Sequence, residues 1–290
     1  MARFTNITVL GTGVLGSQIA YQAAFSGFHV TAYDVSDAAL EKAAARSSAL
    51  ADTYDRRVVG GSNGKATRAL DNITYSSDLG QAVSDADLVI EAIPEILDLK
   101  RATFAALSGL APTKTIFATN SSTLLPSDLM ESTGRPDRFL ALHFANELWI
   151  HNTAEIMGTP KTDPAVYAHV VEFAEDIGMV PIQLKKEKAG YVLNSLLVPF
   201  LDAAAELLID GIADPETIDK TWRIATGAPA GPFQIYDVVG LTTAYNISLA
   251  GGRKQREFAD YLKKNYLDKG MLGVATGEGF YRYPVTAAVG

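Results

Sequence analysis

A histidine and a glutamate in two neighbouring apolar runs are the side chains best suited to acid–base chemistry. His143 lies in the run 139–144, and Glu155 lies near the start of the short run 154–157. If both runs are strands and the strands are adjacent, the two side chains meet. A carboxylate beside an imidazole selects one tautomer and favours the charged form. The pair therefore predicts proton transfer near neutral pH.

Further polar residues follow a run that is typical of a strand. Asn120, Ser121 and Ser122 come directly after the apolar run 115–119. In a parallel sheet, ligands bind beyond the carboxyl ends of the strands, so we expect these side chains at the same edge as His143. The other histidines are predicted within a strand, within a helix and at the surface, and they are His29, His169 and His151 respectively.

A glycine-rich turn stands near the start of the chain, between an apolar run and a segment with helical periodicity. Gly11, Gly13 and Gly16 have the spacing G-x-G-x-x-G, and a second apolar run ends on Asp34. This order of strand, turn, helix and strand is the dinucleotide-binding fingerprint. The first glycine permits the tight turn, the second lets a pyrophosphate approach the backbone, and the third lets the helix lie close to the strand.

The same stretch predicts the nature of the cofactor. The helix start, which includes Val14 and Leu15, presents backbone N–H groups and a partial positive charge to the phosphates. Asp34 would accept hydrogen bonds from the two ribose hydroxyls and would repel a 2′-phosphate. The sequence therefore predicts NAD rather than NADP as the cofactor, and we predict no metal site.

The alternation of strands and helices predicts an α/β fold for the first part of the chain. Apolar runs alternate with helical segments such as 36–57 and 97–110, which is typical of a Rossmann-type, doubly wound, mostly parallel sheet. From about residue 188 the pattern is helical, with helices predicted at 191–210, 215–226, 231–250 and 254–267. We therefore predict two domains, a cofactor domain at 1–186 and an all-α domain at 187–290.

Composition excludes several classes of protein and of site. The 290 residues are 48% hydrophobic and 20% charged, and their net charge of −8 argues against a nucleic-acid partner. The chain has no cysteine, so it can form neither a disulfide nor a thiolate ligand. A strand is expected to begin by about residue 6, which leaves no room for a signal peptide. No apolar run has the ~20 residues of a membrane span. These features predict a cytoplasmic protein with a small-molecule partner.

Together, these segments resemble the 3-hydroxyacyl-CoA dehydrogenase family over nearly the whole chain. The resemblance is carried by VLGTGVLGSQIA, EAIPEILDLKR, ATNSSTLLPS, LHFANE, AEIMGTPKT, KAGYVLNSLLVPFL, GAPAGPF and TGEGFYRY. It implies NAD(H)-dependent interconversion of 3-hydroxyacyl and 3-ketoacyl compounds, as in fatty acid metabolism. It also implies a homodimer formed through the helical C-terminal domain, and an active site of Ser122, His143, Glu155 and Asn194.

The resemblance further implies roles for individual residues. His143 is expected to move the proton of the substrate hydroxyl while Glu155 orients it. Ser122 and Asn194 are expected to donate to substrate oxygens. The contacts to the cofactor are expected from the glycine turn, the helix start, Asp34 and residues after later strands. In full, they are Gly11, Gly13, Val14, Leu15, Gly16, Asp34, Glu95, Lys100, Asn120 and Asn146.

Three positions depart from the pattern of the family. The family usually reads His-Phe-Phe-Asn-Pro, whereas this chain has Glu147 in place of the proline. Ala275 replaces a common lysine, and the segment after Arg57 is rich in glycine rather than in lysine. The segments NSSTLLPS (120–127) and PEILDLKR (94–101) instead resemble two branches that act on other β-hydroxy or β-keto compounds. One, which this chain resembles more closely, contains the diketoreductases, and the other contains L-gulonate 3-dehydrogenase and lambda-crystallin.

Three alternatives remain open. The substrate could be a free β-diketo acid or ester or a sugar acid, unless Arg56, Arg57 and Lys65 form a basic rim for a phosphorylated tail. A crystallin-like protein would bind NAD without catalysis, although the complete set of active-site residues argues against this. A 3-hydroxyisobutyrate-type enzyme would use a lysine such as Lys188 as the acid, which leaves the histidine–glutamate pair unexplained.

Overall fold

The structure, a computed structural model, describes residues 4–283. The chain divides into two compact units, Met1–Val192 and Leu193–Gly290. The first contains a β-sheet with helices and the second is built from helices. Within the part of the chain that the structure describes, no helix has both the length and the apolar character needed to cross a bilayer.

The division between the units falls later than the boundary predicted at 186/187. Residues 190–192 are hydrogen-bonded within the first unit, because the N–H of Gly190 donates to Ser122 O and the N–H of Val192 donates to Glu155 Oε1. These bonds could not be predicted from the change near residue 187 from alternating strands and helices to a helical pattern. Where the functional domains begin and end stays a prediction.

One β-sheet forms the centre of the first unit. Its strands are β1 (Asn6–Leu10), β2 (His29–Tyr33), β3 (Ile73–Ser76), β4 (Leu88–Glu91), β5 (Ile116–Thr119), β6 (Phe139–Phe144), β7 (Thr153–Gly158) and β8 (Val180–Leu184). Within residues 4–283 they form an eight-stranded sheet in the order β3-β2-β1-β4-β5-β6-β7-β8. All neighbouring pairs are parallel except β6 and β7, which are antiparallel. The predicted doubly wound, mostly parallel sheet is confirmed.

Burial explains which strands could be predicted. Every residue of β4, β5 and β6 is buried, as expected for continuous apolar runs at the centre of a parallel sheet. The edge strand β8 was not predicted. Its residues are exposed or half-buried, and it contains Pro181, which lacks an N–H group and is typical of edge strands.

Helices pack against the sheet through two apolar clusters. The helices of the first unit are α1 (Val14–Phe25), α2 (Asp37–Arg57), α3 (Lys65–Arg68), α4 (Leu79–Val83), α5 (Leu97–Leu110) and α6 (Pro164–Asp176). One cluster includes Tyr21 of α1 and Phe173 of α6, and the other includes Phe104 of α5. Side-chain N-caps begin α2, α4 and α6, as Ser and Asp at these positions favour.

The second unit contains the helices α7 (Leu193–Ile209), α8 (Pro215–Thr226), α9 (Pro232–Val239), α10 (Leu241–Leu249) and α11 (Arg253–Asn265). The single helix predicted at 231–250 is wrong. Gly240 has φ +91°, a conformation outside the helical region that glycine adopts readily, and it divides the segment into α9 and α10. The predicted start of α7 at residue 191 is also wrong, because Tyr191 has φ +52°.

Two buried aspartates organise the second unit. Asp219 accepts hydrogen bonds from the N–H groups of Phe233 and Gln234 at the start of α9. Asp237 accepts from the N–H groups of Phe280 and Tyr281. The segment TGEGFYRY, which helped to carry the family resemblance, therefore anchors the end of the described chain to α9.

Candidate active site

The acid–base pair lies on two antiparallel strands. His143 of β6 is directly opposite Glu155 of β7 in the strand register, and opposite residues have their side chains on the same face of a sheet. His143 Nδ1 lies 3.1 Å from Glu155 Oε2. The two residues are 6% and 4% exposed. An ionised Glu155 accepts from Nδ1–H, and this tautomer leaves a lone pair on Nε2.

Ser122 reaches the other nitrogen of the imidazole. Its Oγ lies 3.1 Å from His143 Nε2. Ser122 follows β5, which is the parallel neighbour of β6. The structure therefore brings three of the four predicted active-site residues into one hydrogen-bonded row, Ser122–His143–Glu155. A nitrogen that shares a hydrogen bond with one hydroxyl is in a suitable setting to exchange a proton with another.

Glu95 holds the loop that carries Ser122. Its Oε1 accepts from the N–H groups of Ser122 and Thr123 at 3.0 and 2.8 Å and from the hydroxyl of Ser121 at 2.5 Å. Burial opposes ionisation, but these hydrogen bonds and the charge of Lys100 lower the pKa of Glu95 from 4.5 to about 2. The stabilisation by this carboxylate is therefore fully present above its ordinary pKa and is lost as the pH falls towards about 2.

A buried carboxylate beside this loop was not among the predicted site residues. Glu91 at the end of β4 is fully buried. Its Oε1 lies 2.5 Å from Lys100 Nζ, and its Oε2 accepts from the hydroxyl of Thr119. Burial raises the pKa of Glu91, although Lys100 acts in the opposite direction. A charged residue inside a buried strand is rare unless it is paired, and this signal in the sequence could have identified Glu91.

Lys100, which was predicted to contact the cofactor, has its ammonium group surrounded by protein acceptors. Besides Glu91, its Nζ contacts Ile93 O at 3.2 Å and Glu95 Oε2 at 3.3 Å. Three acceptors match the three N–H bonds of an ammonium group. A contact between Lys100 and the cofactor would therefore require the exchange of one of these partners. The cofactor contacts of Lys100 and Glu95 stay predictions.

The three predicted asparagines lie in different settings. Asn120 Oδ1 accepts from the N–H of Phe144 at 2.9 Å, which links the end of β5 to the end of β6. Asn146 is exposed in the loop after β6. Asn194 is half-buried in the first turn of α7 and belongs to the second unit. The role of Asn194 at the active site therefore stays a prediction.

The glycine turn is closely packed at Gly11 and Gly16 and open at Gly13. A Cβ atom at Gly16 would lie 1.8 Å from Gly11 O, and one at Gly11 would lie 2.6 Å from Ala92 O. A Cβ atom at Gly13 would meet nothing within 4 Å. Gly13 is the N-cap of α1 and has no side chain that could cover the N–H groups of the first turn. This open helix start, with exposed Val14 and half-buried Leu15, suits an anionic group.

Asp34 lies at this turn, as predicted from its position after β2. Its Oδ2 accepts from the N–H and the hydroxyl of Thr12, and its Oδ1 accepts from the N–H of Val35. Burial opposes ionisation, but these hydrogen bonds and the charge of Arg46 lower the pKa of Asp34. Each carboxylate oxygen has two lone pairs, so Oδ1 retains one for a ribose hydroxyl.

An aromatic side chain that was predicted within a helix lies against the imidazole. The rings of Tyr191 and His143 are stacked, with centroids 4.5 Å apart. The periodicity of the sequence placed Tyr191 in α7 and gave no sign of this contact. The glycine at position 190 is the one local signal that could have indicated a turn there.

The comparison with known proteins identifies the family. The model of the 3-hydroxyacyl-CoA dehydrogenase NAD binding domain matches residues 6–188, and that of the 3-hydroxyacyl-CoA dehydrogenase C-terminal domain matches residues 190–283. The chain belongs to the 3-hydroxyacyl-CoA dehydrogenase family. It is therefore an NAD-dependent oxidoreductase that acts on CH–OH groups, and the glycine turn is chemically suited to that cofactor.

Individual members of the family are similar over more than nine-tenths of their length. The mitochondrial hydroxyacyl-coenzyme A dehydrogenase of Rattus norvegicus is 33% identical, over 96% of this chain and 91% of that protein. The probable 3-hydroxybutyryl-CoA dehydrogenase of Bacillus subtilis (strain 168) is 32% identical, over 96% of each chain. A solved structure described as substrate-directed dual catalysis of dicarbonyl compounds by diketoreductase is 72% identical. It has a TM-score of 0.96 and covers 98% of this chain and 100% of its own.

Removing the charge of Asp34 should relax the choice of cofactor in this dehydrogenase. In Asp34→Ala, the ratio of kcat/KM for NADP to kcat/KM for NAD should rise by about tenfold. This corresponds to the loss of ~1.4 kcal/mol of repulsion between the carboxylate and the 2′-phosphate of NADP. Asp34→Asn is the matched variant, because it can still accept the N–H of Thr12 while it removes the charge. Unchanged discrimination between the two cofactors in both variants would remove Asp34 from the ribose site.

The three candidate residues of a basic rim have different surroundings. Lys65 Nζ lies 4.1 Å from the centre of the Phe25 ring and lines a cavity with Trp149 and Glu175. Arg56 donates to a backbone oxygen of its own helix, and Arg57 is exposed. These contacts hold Lys65 against the end of α1, which weakens the interpretation of the three residues as one rim for a phosphorylated tail.

Proposed function

We propose that His143 is the general base and acid in the interconversion of 3-hydroxy and 3-keto compounds by this dehydrogenase. The observation that carries the proposal is the row Ser122–His143–Glu155, with 3.1 Å at each nitrogen of the imidazole. NAD, when bound, accepts the hydride in oxidation, and NADH donates it in reduction. His143 Nε2 takes the proton of the substrate hydroxyl in oxidation and returns a proton to the carbonyl oxygen in reduction.

The neighbours of His143 have supporting roles in this proposal. Glu155 accepts from Nδ1–H, which keeps the lone pair on Nε2 and stabilises the imidazolium formed in oxidation. When substrate is bound, the Ser122 hydroxyl turns its one proton from His143 Nε2 to the substrate oxygen, so that charge developing on this oxygen meets a nearby donor. Asn194 is assigned to a second donor role by the family resemblance. Preorganised contacts of this kind lower the cost of orienting the substrate.

The substrate we propose is a dicarbonyl compound or its hydroxy product without coenzyme A. The support is the 72% identity over 98% of the chain with the diketoreductase whose described substrates are dicarbonyl compounds. The position of Lys65 against Phe25 and the carboxylate of Glu147 in place of the family's proline point the same way. A coenzyme A thioester, as named for the rat and Bacillus relatives, is the second candidate.

A direct comparison of two substrates tests this choice. NADH oxidation is followed with acetoacetyl-CoA and with a free β-diketo ester under identical conditions. We expect kcat/KM for the ester to exceed that for the thioester by at least about tenfold, the size of discrimination that a few contacts in a pocket provide. A higher kcat/KM for the thioester would favour the second candidate. Turnover of neither substrate would point to another 3-hydroxy compound, such as a sugar acid.

We also propose that the protein is a homodimer formed through its second unit and that it acts in the cytoplasm. Large apolar side chains are exposed on this unit, among them Leu196 and Ile224 at 68% and 75%. Large apolar groups exposed to solvent are typical of surfaces that bind another chain when they form a contiguous patch. The support for a cytoplasmic location is the cysteine-free composition, whereas the rat relative is named as mitochondrial.

A further inference from the structure

Tyr191 lies flat against the ring of His143. The ring centroids are 4.5 Å apart and the ring planes differ by 13°. Tyr191 is 1% exposed, and its hydroxyl donates to Ser121 O at 2.8 Å. Burial, followed by three nearby carboxylates, raises the pKa of Tyr191, so the hydroxyl stays protonated and keeps this hydrogen bond. One side chain thus contacts both the imidazole and the loop that carries Ser122.

The backbone around Tyr191 is held in an uncommon conformation. Its φ of +52° lies in the left-handed region, which bulky side chains rarely adopt. The N–H of Gly190 donates to Ser122 O at 3.2 Å, and the N–H of Val192 donates to Glu155 Oε1 at 2.9 Å. A strained backbone conformation of this kind persists only where several surrounding contacts enforce it, and such conformations are concentrated at functional sites. Residues 190–192 therefore contact every member of the row Ser122–His143–Glu155.

The stacked ring restrains a motion that the hydrogen bonds leave open. The hydrogen bonds at Nδ1 and Nε2 restrain the imidazole, but the ring can still rock about its Cβ–Cγ bond, because χ2 of histidine has a broad energy minimum. A flat neighbour at van der Waals distance blocks this rocking on one face. The electron-rich face of a phenol ring within about 6 Å also attracts a positive charge, which suits the cationic form of His143.

We propose that Tyr191 is a positioning residue that fixes the plane of the His143 ring and the loop of Ser122. This inference rests on the proposed function, since it requires His143 to carry the proton. The competing explanation is that Tyr191 only fills space, because it belongs to a small apolar cluster with Ala141 and Met157. Space filling predicts a loss of stability on substitution, and positioning predicts a specific loss of kcat.

Substitutions at Tyr191 separate these two explanations. Tyr191→Leu removes the flat ring and should lower kcat by about 10- to 100-fold, the effect of a small misplacement of a catalytic group. The Kd of NADH, measured by fluorescence titration, should not change. Tyr191→Phe keeps the ring and loses only the hydroxyl. Its kcat should stay within about fivefold of the wild-type kcat, because the loss of one ordinary hydrogen bond corresponds to a change of about this size. Tyr191→Met also lacks a ring, and its unbranched, flexible chain adapts to irregular gaps, so it replaces the leucine variant if the latter does not fold.

The matched control is Tyr21→Leu. Tyr21 is also fully buried in the first unit, and its hydroxyl also donates to a backbone oxygen, that of Ala66, at 2.6 Å. The control should lose thermal stability to a similar degree as Tyr191→Leu and keep the kcat of the wild type. Equal losses of kcat in the two leucine variants, or a Tyr191→Phe variant as impaired as Tyr191→Leu, would overturn the positioning role.

A double-mutant cycle with His143→Gln completes the test. If Tyr191 acts through the imidazole, Tyr191→Leu should not lower kcat further in the His143→Gln background, because the two effects are not independent. The same fold-loss in both backgrounds would overturn the inference and leave the proposed function intact. Wild-type turnover in His143→Gln alone would overturn the proposed function, and the inference about Tyr191 would fall with it.

Discussion

Replacing His143 by glutamine is expected to lower kcat by about 10²–10⁴-fold, the usual size of a general acid–base contribution. Glutamine has an amide group that can donate to Glu155 but no group that accepts and releases a proton near neutral pH. Because His143 and Glu155 are only 6% and 4% exposed, His143→Ala would leave a buried carboxylate without this donor. Glutamine is therefore the cleaner test, and steady-state NADH oxidation measures it.

The affinity for the cofactor should not change in His143→Gln. The glycine turn and Asp34, which the sequence predicts to contact the cofactor, lie after β1 and β2, whereas His143 lies in β6. A fluorescence titration with NADH measures this directly. The control is His29→Gln, because His29 is exposed at the start of β2, away from the carboxyl ends of the strands. If His143→Gln turns over as fast as His29→Gln, a different group moves the proton.

The sequence was sufficient to predict the pairing of His143 and Glu155. Each residue lies in a run of apolar residues with a clear end, so both strands could be placed to within a residue. The chain between the two runs is short, and a short connection favours adjacent strands. The structure shows the two residues directly opposite each other. Local patterns can thus predict a contact when the contact depends only on strand order and register.

The sequence was not sufficient to predict how Ser122 is held. The carboxylate of Glu95 accepts from three consecutive residues of the loop, 121–123, and this arrangement depends on how two loops after different strands approach each other. Neither periodicity nor spacing encodes such an approach. The family resemblance indicated a cofactor contact for Glu95, whereas the structure adds an anchoring role that a single sequence cannot reveal.

Backbone conformation accounts for the two errors in helix assignment. Residues 231–250 and 191–210 have helical composition, but Gly240 and Tyr191 adopt φ of +91° and +52°. Helix propensity is a weak preference that tertiary contacts override. At Tyr191 the contacts are those with His143 and Ser121, so the site itself explains why the local prediction failed.

Substituting Gly13 and Gly16 by alanine is expected to separate cofactor binding from folding. A Cβ atom at Gly16 would lie 1.8 Å from the backbone oxygen of Gly11, so α1 must move away from the turn. Overpacking of this kind costs about 1–3 kcal/mol or more. The melting temperature of Gly16→Ala should therefore fall by several degrees, at roughly 2–4 °C per kcal/mol, and calorimetry measures it.

Gly13→Ala should leave the melting temperature unchanged and weaken the binding of NADH. Gly13 has φ −61°, which alanine adopts without strain, and its Cβ atom would meet no protein atom within 4 Å. Removal of a glycine at such a position usually stabilises the folded state slightly. The methyl group would instead occupy the space through which we propose that the pyrophosphate approaches the start of α1. The Kd of NADH should rise by about tenfold or more, equivalent to ~1.4 kcal/mol.

The comparison of the two variants distinguishes an effect on cofactor binding from an effect on folding. A weaker Kd in Gly13→Ala at an unchanged melting temperature cannot result from unfolding, so it would locate the cofactor at the open helix start. Wild-type affinity in Gly13→Ala would instead show that the pyrophosphate lies elsewhere, and the roles assigned to Gly11, Val14 and Leu15 would have to be abandoned with it. The assignment of Asp34 would not fall automatically, because the preference for NAD over NADP tests that residue independently.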